Sequence, residues 1–148
     1  MHQRALWMLL LLPPLAWSLG CARPVFSEDG VYLPPPAGPG LVAQPRSPIP
    51  DVPMPVGFSA VASQSASHVE DGVRHVRHVY QGRGQSAEVV DFYRRHLPRH
   101  GWIAGPRQTQ PDGAVVMRYV KGPEALRVRI SRRLSVITAE LTIAARDG

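Results

Sequence analysis

The stretch Val89–Trp102, VVDFYRRHLPRHGW, carries apolar residues at helical spacing. At about 100° per residue, Phe92, His96, Val89, Tyr93, Leu97 and Val90 fall in that order on one arc. Asp91, Arg94, Arg95 and Glu88 fill the other side, so the segment is a helix with one face to bury. Ser86 offers an N-cap, and Glu88 places a negative charge in the first turn. Pro98 ends or kinks the last turn, and Gly101 supplies a left-handed cap.

What the helix lies on is read outward from it. Toward the C-terminus the period becomes two. Leu126, Val128 and Ile130 alternate with Arg127 and Arg129, and Ile137, Ala139, Leu141 and Ile143 alternate with Thr138, Glu140 and Thr142. Strands are expected over 102–108, 114–121, 125–131 and 136–144, with turns at QPDG and KGPE and a basic corner before Val136. Toward the N-terminus, 73–81 reads as a strand entered through an Asp71-Gly72 turn. A weak edge strand over 58–62 dissolves into SQSASH. One apolar and one wet face predict an α+β fold in two layers, one helix on an antiparallel sheet, in the order β-β-α-β-β-β-β over residues 56–148.

Of the 16 prolines, most precede Val56. Residues 22–55 keep no apolar period, and Pro34-Pro35-Pro36 favours extended backbone, so 21–55 is expected to be a disordered, Pro-rich tether. Before it, Arg4 followed by the apolar run Ala5–Leu12, with Pro13-Pro14 behind, reads as a secretory signal peptide over 1–20. The run falls short of the ~20 apolar residues of a membrane span. Cys21, the single cysteine, follows Ser18-Leu19-Gly20.

The ending Ser18-Leu19-Gly20-Cys21 resembles the lipobox of bacterial lipoproteins, keeping Gly20 and Cys21 while Ser18 and Leu19 depart from the usual pattern. The resemblance implies cleavage before Cys21, acylation of its sulfur (palmitate or a similar chain) and, with Ala22 following, sorting to the outer membrane facing the periplasm. A plain secreted or membrane-anchored protein without lipidation is the alternative. The helix motif Phe92-Tyr93…Leu97…Gly101-Trp102, with Val52–Phe58 and Tyr80-Gln81-Gly82, resembles small uncharacterised envelope lipoproteins. These are packing and capping residues, so they speak to fold rather than chemistry. A looser likeness of architecture links the domain to helix-on-sheet lipoproteins that assist outer-membrane protein assembly.

No catalytic or cofactor motif stands out: there is no nucleophile elbow, HExxH or Gly-rich phosphate loop, so no enzyme and no cofactor are expected. His75 and His78 point to opposite faces of a strand, Pro98 separates His96 from His100, and no acidic or thiol third ligand is near in sequence, so no metal site is expected. The charge balance is 17 basic against 11 acidic side chains. Arg127, Arg129, Arg132 and Arg133, with Arg118 and Lys121 beside them, are expected to form a basic wet face. Nucleic acid is the common partner of such a face, but export and the lack of interleaved aromatics argue against it. An anionic glycolipid or an acidic envelope protein suits the face better. A passive structural lipoprotein with a solvated arginine face is the other reading.

Overall fold

The computed structural model describes residues 25–26, 32–33 and 40–146. The signal peptide and Cys21 lie outside them. The chain divides into two units, Met1–Ala37 and Gly38–Gly148. In the first, strands β1 (Val25–Phe26) and β2 (Tyr32–Leu33) pair antiparallel. In the second, β3 (Phe58–Ala60), β4 (Ala66–Glu70) and β5 (Val73–Gly82) precede helix α1 (Ser86–His96). Then follow β6 (Ile103–Thr109), β7 (Val115–Lys121), β8 (Glu124–Arg133) and β9 (Val136–Ala145). The seven strands form one antiparallel sheet in the order β3-β5-β9-β8-β7-β6, with β4 also paired to β5. Among the described residues no helix is long and apolar enough to cross a membrane.

The second unit is α+β, with one helix on an antiparallel sheet, but three strands of that sheet rather than two precede the helix. The additional strand is β4, which lies where the sequence dissolves into polar residues. It pairs with β5 through the turn at Asp71 (φ 49°) and Gly72 (φ 76°), the two positive φ values of a type I′ hairpin. Strands β3 and β4 lie along the same side of β5, and residues 61–65 leave the ladder between them. That excursion is tied down at Val79: Val61 N donates to Val79 O (2.8 Å), and Val79 N donates to Ser65 Oγ (3.2 Å). At the far end of β3, Phe58 stands opposite Gly82, where a Cβ would come within 2.5 Å of its ring. Glycine leaves room there for the ring to lie over the neighbouring strand. On the opposite edge, β6 slips register between Ala104 and Arg107, across Gly105 and Pro106.

Helix α1 buries Val89, Val90, Phe92 and Tyr93, the arc its spacing predicts. The N-cap is Gln85, one residue before the expected Ser86; its backbone N–H is bound by the Glu88 carboxylate at 3.1 Å. Pro98 sits in a closing 3₁₀ turn, Leu97–His100, and Gly101 (φ 84°) caps it, with Trp102 N donating to Leu97 O at 3.2 Å. Tyr93 is fully buried, and its hydroxyl has no hydrogen-bond partner among the described residues. Burial pushes its pKa well up, so the ring stays neutral.

The expectation of a tether reaching Pro55 is corrected over 40–55. These residues form a strap that belongs to the domain. Val56 N donates to Val42 O and Gln44 N to Met54 O, both at 2.8 Å, while Ala43 bridges Pro55 and Ile49 bridges Val52. The Gln44 amide adds bonds to Pro55 O (3.0 Å) and Phe58 O (2.8 Å). Proline tolerates this path because the strap asks its prolines for carbonyl acceptors, which they have, and not for N–H donors. Ile49, Val52 and Met54 (3%, 0% and 6% exposed) join the same core as Val76, Tyr80 and Trp102.

Candidate functional site

Two sides of the sheet differ in what they offer. The helix and strap cover the side that carries Leu126, Val128, Ile130, Ile137, Ala139, Leu141 and Ile143, all buried. On the open side, Arg77 of β5, Thr142 of β9, Arg127 of β8 and Arg118 of β7 are successive Cα partners, a row crossing four strands. The next row runs Val79, Glu140, Arg129, Val116. Within it Glu140 accepts from Arg77 Nε at 3.0 Å, and Arg129 is ion-paired with Asp112 of the β6–β7 turn. Arg118 and Arg127 stand directly opposite one another, both exposed, and neither is ion-paired among the described residues. Like charges directly opposite on neighbouring strands repel, and an anion placed between them removes that cost.

The expected basic cluster is therefore redrawn. Arg127 and Arg129 lie on the open side, and Arg133 shares it by alternation at the end of β8. Arg132 shares the parity of Val128 and Ile130 and so belongs to the other side; its Nε donates to Leu134 O (3.0 Å) in the hairpin tip. Lys121 also leaves the cluster. It follows Met117 and Tyr119 to the covered side, where Nζ donates to Asp51 Oδ2 at 2.8 Å and lies 5.6 Å from the Trp102 ring centre. Arg77, absent from the expected set, takes the vacated place through β5, whose register to β9 could not be read from either strand alone.

Lys121 is part of a clasp that closes the strap onto the sheet. Arg74 forks onto both Asp51 oxygens (2.7 and 2.9 Å) and onto both Glu124 oxygens (2.8 and 2.6 Å). Trp102 Nε1 donates to the Asp51 carbonyl at 3.0 Å. Burial alone would raise the Asp51 pKa, but the hydrogen bonds and charges of Arg74 and Lys121 outweigh it and hold the carboxyl at about 2. The Arg74 hydrogen bond likewise lowers the Glu124 pKa. Carboxyls with depressed folded-state pKa values stabilise the fold above their ordinary range and lose that contribution as pH falls through it. Stability should accordingly drop between about pH 5 and about pH 2, and Asp51→Asn should flatten that slope while lowering stability at neutral pH. Thermal midpoints of both chains across this range test it, and parallel acid profiles would refute it.

A shallow cleft of about 220 Å³ lies between the strap and the β4–β5 hairpin, with Pro48, Ile49, His68, Val69, Val76 and His78 among its lining residues. It is smaller than the ~300–1,000 Å³ of most small-molecule sites. His78 faces this cleft, and burial lowers its pKa; His96 tilts onto the Phe92 ring at 4.5 Å, its pKa lowered by burial and by neighbouring Arg99, Arg95 and His100. His68 is the Cα partner of His75 across the hairpin, a pairing hidden in the sequence because no alternation marks β4. The expectation that no acidic side chain lies near the histidines is corrected here, since the Glu70 carboxylate is 3.9 Å from His68 Nε2. Compared with protein-family models, with curated proteins and with solved structures, the chain gives no significant match.

Proposed function

We propose that the chain is an exported bacterial envelope protein, anchored through acylated Cys21 in the outer membrane facing the periplasm. Its domain acts as a non-enzymatic binding module that takes an anionic partner on the open sheet face. The leader and the Gly20-Cys21 junction support the address. The observation that carries the binding role is the unpaired Arg118/Arg127 couple set in the row with Arg77. Anionic glycolipid headgroups or an acidic protein surface would neutralise it. A passive structural lipoprotein is favoured by the pairing of Arg77 with Glu140 and Arg129 with Asp112 inside the fold.

Crosslinking pull-down from native envelopes separates the two readings. Arg118→Ser/Arg127→Ser should lose a partner that the wild-type chain and Arg132→Ser both retain. Raised salt should weaken its capture, because such contacts are screened within about 10 Å at 0.1 M. Equal recovery from all three chains supports the passive reading. Cys21→Ala should leave an uncleaved, palmitate-free precursor, and normal processing of that variant would overturn the anchor.

A further inference from the structure

Across the β4–β5 hairpin, His68 and His75 face each other with rings stacked 5.1 Å apart and 11° from parallel. Glu70 lies two residues along the same strand, hence on the same side, with Oε2 3.9 Å from His68 Nε2. One ligand atom from each of the three residues falls within 4.8 Å of the other two. We propose that His68, Glu70 and His75 form a surface site for a divalent transition-metal ion of borderline softness, such as Zn²⁺.

The donor set decides the class of ion. Two imidazole nitrogens and one carboxylate oxygen suit Zn²⁺, Ni²⁺ or Cu²⁺, whereas Mg²⁺ and Ca²⁺ require mainly oxygen. Metal–ligand bonds of about 2.0–2.2 Å require the three donors to draw together by roughly an ångström. Side-chain rotation supplies that movement, since His68 and Glu70 are about two-thirds exposed (66% and 67%). The backbone beneath does not have to move: five successive residue pairs, from Ala66/Arg77 to Glu70/Val73, hold the register, and the type I′ turn closes it. Arg77, two residues beyond His75 on this face, has its guanidinium directed to Glu140. His78 takes no part, because it stands three residues from His75 on β5 and so points to the opposite face of the strand. Three protein ligands leave a position open for water or for a donor from another molecule.

The test is titration of the full chain with Zn²⁺ alone, followed by calorimetry and by thermal unfolding. The wild-type chain should bind one equivalent and unfold at a higher temperature with the ion, because the metal ties two strands of the native ladder together. Residues that only orient metal ligands are worth roughly 10–100-fold in affinity, so His68→Ala and His75→Ala should each weaken binding at least about tenfold. Glu70→Gln should weaken it as well, while His78→Ala and His96→Ala leave it unchanged. The proposal is overturned if the wild-type chain binds no Zn²⁺. It is equally overturned if His68→Ala and His75→Ala bind as tightly as wild type, or if affinity is lost in His96→Ala instead.

Discussion

A chain shortened to begin at Val56 will lose its cooperative fold, whereas one beginning at Gly38 will keep it. Burial of Ile49, Val52 and Met54 contributes about 1.5–3 kcal/mol for each side chain. The side chains of the same cluster beneath them, Val76, Tyr80 and Trp102, lose cover when the strap goes. Chain entropy released by the missing residues offsets part of this. The clasp also fails: Arg74 and Lys121 both lose Asp51, leaving Arg74 with Glu124 alone. A domain of this size has roughly 5–15 kcal/mol of net stability, so a loss of several kcal/mol leaves little. Circular dichroism and dye binding on the two shortened chains measure the difference. Equal thermal midpoints would show that the strap merely rests on the domain.

The second large effect is expected from Trp102→Ala. Trp102 is 1% exposed, lies between the Gly101 cap and β6, and holds the strap by its bond to the Asp51 carbonyl. Truncating a buried tryptophan costs about 3–5 kcal/mol. In a domain near 100 residues that corresponds to a fall in midpoint of roughly 15 °C or more. Trp102→Phe keeps much of the packing but loses the hydrogen bond, and should fall between wild type and Trp102→Ala. A Trp102→Ala midpoint within a degree or two of wild type would remove Trp102 from the core.

Which parts of this fold are legible in the sequence follows from what each segment buries. The helix is legible because Val89, Val90, Phe92, Tyr93 and Leu97 all enter one core and therefore repeat at one period. Strands β8 and β9 are legible for the same reason at period two. The strap is not, since Ile49, Val52 and Met54 are single apolar residues among prolines and obey neither period. Strand β4 is hidden by the opposite circumstance: all five of its residues are exposed, so no alternation marks it. Missing β4 removes the partner of His75, and with it the histidine pair. Arg132 is different, because alternation along β8 already separates it from Arg127 and Arg129. The couple of Arg118 with Arg127 needed only the turn at Gly122-Pro123 to be placed, and that turn was visible.

Both borders of the sheet are irregular, which bears on how copies of the domain behave in a crowd. Along one border the chain leaves the ladder over 61–65; along the other, β6 slips at Gly105-Pro106, where proline has no N–H to offer. A flat, continuous border is what a second copy needs in order to add its own strand and begin a fibre. Neither border provides a long, regular template, so this predominantly β domain should stay free of strand-by-strand polymerisation even at high concentration.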